Sequence, residues 1–420
     1  MKNNRGLLFI LILSIVLRWI SYNYFLSHLI SPADSGQYIA IAENLTNGKG
    51  FSLDGNEPTF HRAPFLPYFL SLLLLTSKNN WHLIASAANI LISSITGVVV
   101  YFTSMRIIND GKIAIISSLL FAINPVSIFW SGFILTEPFF LLFFTLSILY
   151  LLKAADGQKM RDFVICGVLI GFSALTRPVI LGVIPFIALW VLIFKNRSFA
   201  EQGIVPQLMK FTMTGIFFVL TILPWTIRNY VNSGEIIPIT SEGHGNLIQG
   251  LTEDPKTLEQ TPIFTPEEIN NMEHLNDWEY RGVERERVIQ YVLSHPRDVL
   301  RLMIKKVFMF WSLIPEVNST ELRSDFFIKL LMVLWATYSG VIYIFAIVGF
   351  FSVKGRNNIM LIIFIMISFT IMHMFFLVVP EKRFRLPLEP YLVILAAAGL
   401  YSPLERKILK LRGPLSMVLK

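Results

Sequence analysis

The side chains in this sequence best suited to chemistry are carboxylates and guanidiniums, and they recur beside helix-breaking residues. Asp34 and Tyr38 stand one helical turn apart in SPADSGQYIAIAENLT, and Gly48-Lys49-Gly50 stops that helix. His61 and Arg62 precede Ala63-Pro64 and a short apolar run. Glu137 sits in Thr136-Glu137-Pro138, and Arg177 precedes Pro178. Arg228 and Asn229 follow Trp225 in PWTIRNY, while Glu381, Lys382, Arg383 and Arg385 cluster in VVPEKRFRLPLEPY. A carboxylate can take a proton as a general base, and a guanidinium can grip a phosphate through paired hydrogen bonds. Each residue also has a plainer role open to it. Asp34 suits a helix N-cap and Glu137 the positive end of a helix dipole. Arg62 can snorkel, and Trp225 with Arg228 can anchor a span at the interface.

The elements that must position these residues are apolar. Of 420 residues, 54% are hydrophobic and 15% charged, against about 45–50% and about 25% in a soluble domain. Apolar runs long enough to cross a bilayer recur along the chain, which excludes a soluble enzyme and a disulfide-stapled secreted domain. Cys166 is the single cysteine, so neither an internal disulfide nor a cysteine-built zinc site is available. The expected spans are roughly 7–27, 81–105, 112–130, 133–152, 162–177, 178–194, 207–226, 326–351, 359–379 and 386–402. The first reads as a retained signal anchor rather than a cleaved signal peptide. The apolar stretch 162–194 would reach about 50 Å as one helix, too long for a roughly 30 Å core, and Arg177-Pro178 breaks it into two crossings. Residues 299–315 carry Arg301, Lys305 and Lys306 and read as an interfacial helix.

Lysine and arginine placement sets the orientation. With both termini cytoplasmic, the short inner loops and tails carry most of the basic excess, and the net charge of +8 becomes a topology signal. No nucleic-acid partner is needed to explain it. The long segments 28–80 and 227–325 then face outward, and the candidate residues collect at that outer edge. Arg383 and Arg385 are kept on the side where positive charge is disfavoured, as expected of anion ligands. The chain divides into 1–226, a transmembrane core with its first outer loop; 227–325, a small outer helical segment; and 326–420, the last spans and a basic cytoplasmic tail.

In order along the chain stand Asp34-Ser35-Gly36-Gln37-Tyr38, Gly48-Lys49-Gly50-Phe51, Arg62-Ala63-Pro64, Leu135-Thr136-Glu137-Pro138, Leu175-Thr176-Arg177-Pro178, Pro224-Trp225 with Arg228-Asn229, and Arg383-Phe384-Arg385-Leu386-Pro387. In these motifs the chain resembles the GT-C fold glycosyltransferases, specifically the family 39-like transferases that use lipid-phosphate sugars. Relatives mannosylate proteins from dolichyl-phosphate-mannose or add aminoarabinose to lipid A. The resemblance spans roughly residues 5–400. It implies an all-α polytopic bundle of about ten transmembrane helices with extracytoplasmic loop helices.

The resemblance also implies an activity: transfer of a sugar, with inversion, from a polyprenyl-phosphate-linked donor to an acceptor hydroxyl at the outer face of the plasma membrane. Asp34 would take the acceptor proton, with Glu137 as the second catalytic carboxylate. Tyr38, His61, Arg62, Arg177, Arg228, Asn229, Lys382, Arg383 and Arg385 would bind substrate. The short helix after Pro64 would form a wall of the groove for the isoprenoid. The acceptor is a lipid, a glycan or a protein. Better characterised relatives often carry an acidic pair in the first loop; Ser35 stands here instead, so a divalent metal is left open without a ligand motif to support it. A transporter or flippase of lipid-linked glycans would place its ionisable residues along a path near the midplane rather than at one edge. A membrane scaffold would leave the ordered motifs unexplained.

Overall fold

The structure, a computed structural model, describes residues 2–26, 33–77, 79–194, 204–242, 246–247, 250–251, 277–313, 326–353, 356–376 and 382–401. The helices in chain order are α1 (Lys2–Leu26), α2 (Ala33–Thr46), α3 (Phe65–Thr76), α4 (Trp81–Ile108), α5 (Gly111–Ala122), α6 (Pro125–Trp130) and α7 (Glu137–Gly157). They continue with α8 (Met160–Thr176), α9 (Ile180–Phe194), α10 (Ile204–Ser233), α11 (Asp277–Ser294), α12 (Pro296–Trp311), α13 (Phe326–Ser352) and α14 (Arg356–Phe376). A 3-10 turn, Lys382–Leu388, feeds directly into α15 (389–401). Among the described residues there is no strand, only an isolated antiparallel bridge between Ser52 and Pro58.

Among the described residues, seven stretches are long and apolar enough to cross a membrane: Arg5–Tyr24, Trp81–Ile108, Glu137–Gly157, Met209–Ser233, Lys329–Ser352, Asn357–Phe376 and Arg383–Tyr401. The chain is a multi-pass helical membrane protein. The other three expected spans are present as shorter helices, and the reasons are local. Asn124 accepts a hydrogen bond from the Ser127 amide and Pro125 opens α6, so the expected 112–130 span is divided into α5 and α6. The Arg177-Pro178 break separates α8, 17 residues, from α9, 15 residues. α12, the expected interfacial helix, is amphipathic. It buries Val299, Lys306, Met309 and Phe310 and exposes Leu300, Ile304 and Phe308, and the Lys306 amine donates to the Gly250 carbonyl.

The centre of the bundle is α15, where Tyr391 to Ala396 are buried in one cluster with Phe144, Phe369, Ile359 and Ile362, and Ala397 and Ala398 pack with Ile113. α13 crosses it closely because Gly349 and Gly399 lack side chains; a Cβ on either would collide with the other helix's backbone. Arg18, inside the first span, is buried rather than snorkelling. It donates to Ser14, Ser93, Ser127 and the Ala122 carbonyl, tying α1 to α4 and to the α5–α6 junction. These contacts fix the frame on which the loop after α1 and the 3-10 turn meet.

Candidate active site

The site is assembled from segments that are remote in sequence. α2 opens one turn before Tyr38 and carries Asp34 in its first turn. Gly48 and Gly50, at φ 74° each, let the chain turn back after α2, with Lys49 donating its amide to the Asn44 carbonyl at 2.9 Å. The returning loop is closed by the Thr59 amide on the Phe51 carbonyl at 2.9 Å and delivers Arg62 to α2. Glu137 is the first residue of α7, Arg177 lies at the α8–α9 break, and Arg383 lies in the 3-10 turn.

These side chains form one alternating chain of charge. Glu242 Oε1 accepts from Arg62 Nη1 at 2.8 Å, and Arg62 Nη2 donates to Asp34 Oδ1 at 2.7 Å. The other oxygen of Asp34, Oδ2, lies 2.7 Å from Arg383 Nη2. Arg383 Nε lies 3.9 Å from Glu137 Oε1, and that oxygen takes Arg177 Nη1 at 2.5 Å. Three carboxylates therefore alternate with three guanidiniums. Arg62 also donates to Gln37 at 2.7 Å and stacks over Tyr38 with 5.4 Å between guanidinium carbon and ring centre. Phe384 is flanked by Arg177 at 5.4 Å and Arg383 at 5.0 Å. Asp34 is thus an ion-pair residue with both oxygens engaged, and its side chain is not a simple cap.

Burial pushes the Asp34 carboxyl up, but the guanidiniums of Arg383 and Arg62 outweigh it and hold the group below the usual carboxylate range. Burial works against the Arg62 charge, yet Tyr38, Glu242 and Asp34 together hold that guanidinium above its ordinary value. Burial pushes the Tyr38 hydroxyl up to about 12, with Arg62 opposing, so it is neutral at physiological pH.

The chain of charge lines one side of a cavity of about 750 Å³. The other side is apolar: Val179, just before α9, and Leu181 and Gly182 in its first turn face Phe369, Met372 and Phe376 of α14. Met372 fills the space that a side chain on residue 182 would take. Leu181 and Phe376 are themselves exposed on the outside of the bundle, at 38% and 36%, so the apolar wall reaches the outer surface of the protein. α3, the expected wall of a lipid groove, does not line the cavity. Its Phe65 and Phe69 pack on Phe139, and Phe65 also on Phe143 and Phe172.

Of the residues expected at the site, Asp34, Tyr38, Arg62, Glu137, Arg177 and Arg383 line this cavity. The others do not. His61 is exposed on the loop. Arg228 donates to the carbonyls of Thr59 and Phe51, both at 3.0 Å, and stacks over Trp225 at 4.7 Å. Asn229 donates to the carbonyls of Ile237 at 3.0 Å and Ile239 at 3.1 Å. Arg385 is buried on the far side of the turn, where it pairs with Glu389 at 3.3 Å and donates to the Ser312 carbonyl at 3.0 Å. These contacts hold Arg385 away from the cavity that Arg383 lines. The side chain of Lys382 and all of Glu381 lie outside the described residues.

Thr240, Glu242, Asn246 and His373 were not expected there, yet they line the cavity. His373 had a legible signal, being an ionisable residue inside an apolar span. Its Nδ1 lies 2.6 Å from the Phe369 carbonyl and its ring stacks on Phe310 at 4.5 Å. Glu242 had none, because its partner Arg62 is far away in sequence. Among the described residues, no group of three or more His, Cys, Asp or Glu could hold a metal ion. Asp34, Glu137 and Glu242 each already carry an arginine, a donor set that does not fit a divalent cation, so no step is routed through one.

The architecture matches known membrane enzymes. Residues 61–227 match the family model of dolichyl-phosphate-mannose-protein mannosyltransferases. The structure is similar to the archaeal oligosaccharyltransferase AglB from Archaeoglobus fulgidus, solved with an inhibitory peptide and a dolichol-phosphate. The TM-score is 0.60 and the identity 14%, over 100% of this chain and 52% of that one. It is also similar to ArnT from Cupriavidus metallidurans bound to undecaprenyl phosphate, with TM-score 0.57 and 12% identity over 94% of this chain and 59% of that one. No curated protein sequence matches the chain significantly. The fold is therefore that of the GT-C glycosyltransferases. Within it, the mannosyltransferase-like segment supplies the Arg62, Glu137 and Arg177 portion of the site, and the chain spans only about half the length of the solved structures it resembles.

Proposed function

We propose that the protein transfers a sugar from a polyprenyl-phosphate-linked donor to an acceptor hydroxyl at the outer face of the membrane, inverting the anomeric centre. The observation that carries this reading is the cavity itself. A wall of Leu181, Met372 and Phe376 suits an isoprenoid chain, and it ends at guanidiniums suited to a phosphate. The acceptor oxygen forms the new bond to the anomeric carbon as the bond from that carbon to the phosphate oxygen breaks. Asp34 takes the acceptor proton, and the polyprenyl phosphate leaves with the electron pair onto Arg383 and Arg177.

Arg383 links the two events, because it sits between Asp34 and Glu137. A donor phosphate competes with Asp34 for this guanidinium. Engaging it loosens the hold on Asp34 and raises the basicity of the carboxylate once donor is in place. Tyr38 and Gln37 keep Arg62 aligned on the other oxygen of Asp34. The basic bias of the inner loops supports an outward-facing site. The test is consumption of a polyprenyl-phosphate sugar by the purified protein, with release of polyprenyl phosphate and formation of an inverted glycoside. A protein that binds polyprenyl phosphate but neither releases it from a panel of such donors nor loses any function with Asp34→Asn would sink the reading.

A further inference from the structure

The motif Pro224-Trp225-Thr226-Ile227-Arg228-Asn229 holds a strap rather than a substrate. After Gly234, at φ 75°, the chain leaves α10 and runs back along it as residues 235–242. Three side chains of the last turns of α10 hold the carbonyls of this strap. Thr226 donates to Pro238 at 2.8 Å, Trp225 to Ile239 at 2.8 Å, and Asn229 to Ile237 and Ile239. The Ser241 amide donates to the Phe60 carbonyl at 2.9 Å, joining the strap to the Arg62 loop. Ile237 and Ile239 are buried, while Thr240 and Glu242 line the cavity, where Asn246 joins them.

This edge differs in chemistry from the rest of the cavity. It offers a hydroxyl, an amide and one carboxylate, a set that hydrogen-bonds sugar hydroxyls. Glu242 is one-third exposed and shares its arginine with Asp34, so an anion arriving from this side meets a carboxylate whose countercharge is already divided. The three cations and three carboxylates of the cavity balance, and the inner guanidiniums face the phosphate of the donor.

We propose that the edge formed by Thr240, Glu242 and Asn246 is the acceptor subsite and that Glu242 is its specificity-determining residue, selecting an uncharged polyhydroxylated acceptor, a sugar unit, over a phosphorylated one. This rests on the transferase reading above, since it assigns the side of the cavity that the donor leaves free.

The test uses the full chain in lipid nanodiscs with undecaprenyl phosphate bound. Saturation-transfer NMR compares methyl α-glucopyranoside with glucose 6-phosphate. Wild type should bind the uncharged sugar at least tenfold more tightly. Glu242→Ala should weaken that binding about tenfold, the loss expected for hydrogen bonds to a charged group. Glu242→Gln should largely restore sugar binding while erasing the preference against glucose 6-phosphate. If Glu242→Ala fails to fold, Thr240→Val and Glu242→Gln carry the test, with weaker sugar binding expected from the first and lost selectivity from the second. Equal binding of the two probes by wild type, or sugar binding indifferent to residues 240 and 242, overturns the subsite. Titration of undecaprenyl phosphate on the same wild-type sample separates the readings. Its failure to bind removes the donor assignment, whereas binding with the wrong sugar pattern removes only the acceptor assignment.

Discussion

Arg383 Nη2 lies 2.7 Å from Asp34 Oδ2, so the residue proposed to bind phosphate and the residue proposed as the base are in direct contact. Asp34 lies in the first turn of α2 and Arg383 in the 3-10 turn that feeds α15. Their meeting means that neither residue can change partners without changing the chemistry of the other. Under the proposed roles, donor binding and base strength become one linked quantity, which shapes what substitutions at either residue should do.

Asp34→Asn should separate binding from transfer. Asparagine cannot accept the proton, so transfer should fall ~10²–10⁴-fold. Removing the negative charge also removes the internal competitor for Arg383, so undecaprenyl phosphate should bind at least as tightly as to wild type. Kinetics beside a fluorescence titration of the same preparation would show both effects. Near-wild-type transfer would leave Asp34 as an ion-pair residue only.

Arg383 and Arg385 should behave oppositely. Arg383→Lys keeps a charge but loses the planar fork, so donor KM should rise with little change in thermal stability. Arg385 has a side chain 1% exposed and pairs with Glu389, so Arg385→Met leaves a buried carboxylate without its cation. Removing one partner of such a pair typically costs about 3–5 kcal/mol, and unfolding should be easier while donor KM in the surviving protein is unchanged. Thermal unfolding in detergent and donor kinetics, read side by side, distinguish the two residues.

The orientation can be checked with single cysteines in a Cys166→Ser background. Asn56 and His295 are exposed on segments expected outside, and Gly157 is exposed on a loop expected inside. An impermeant maleimide added to intact cells should label cysteines at 56 and 295 and spare one at 157. The reverse pattern would turn the bundle over.

How far the site was legible follows from what each motif does locally. Span positions came from apolar runs, and the Arg177-Pro178 break came from proline sterics, so both could be read without tertiary contacts. Asp34, Arg62, Glu137, Arg177 and Arg383 stood out because ionisable groups at span ends need a reason. Positions two apart diverge on either kind of helix, so Arg383 and Arg385 could be expected to part; which of them turns to the cavity was not legible, because Arg385 is held away by Glu389 and the Ser312 carbonyl. Arg228 and Asn229 look like ligands in sequence because their true partners are backbone carbonyls, which leave no residue-type signature. Glu242 was hidden for a related reason: only the fold of the strap brings it to Arg62.

The pH dependence should show the link between Arg383 and Asp34 directly. Facing Asp34 are Arg62 from the loop before α3, Arg383 from the 3-10 turn and Arg177 from the α8–α9 break, with Tyr38, Glu137 and Glu242 alongside. In the free protein, burial raises the Asp34 pKa but Arg383 and Arg62 lower it further, so the net displacement is downward from the ordinary aspartate value of roughly 3.9. A depressed carboxylate stabilises the fold fully above its unfolded pKa, and that contribution is lost as pH falls through the lower folded value. Stability from Asp34 should therefore be flat across neutral pH and decline only below about 3.9. Activity should differ between the free and donor-bound forms. The acid limb of kcat/KM for donor reports the free protein and should lie below that value, whereas kcat reports the complex, in which phosphate has drawn Arg383 away. The acid limb of kcat should then sit at higher pH than that of kcat/KM, and Arg383→Gln should move the two limbs together by raising the first. Coincident limbs in the wild-type protein, with neither moved by Arg383→Gln, would show that donor binding leaves the Asp34–Arg383 pair intact.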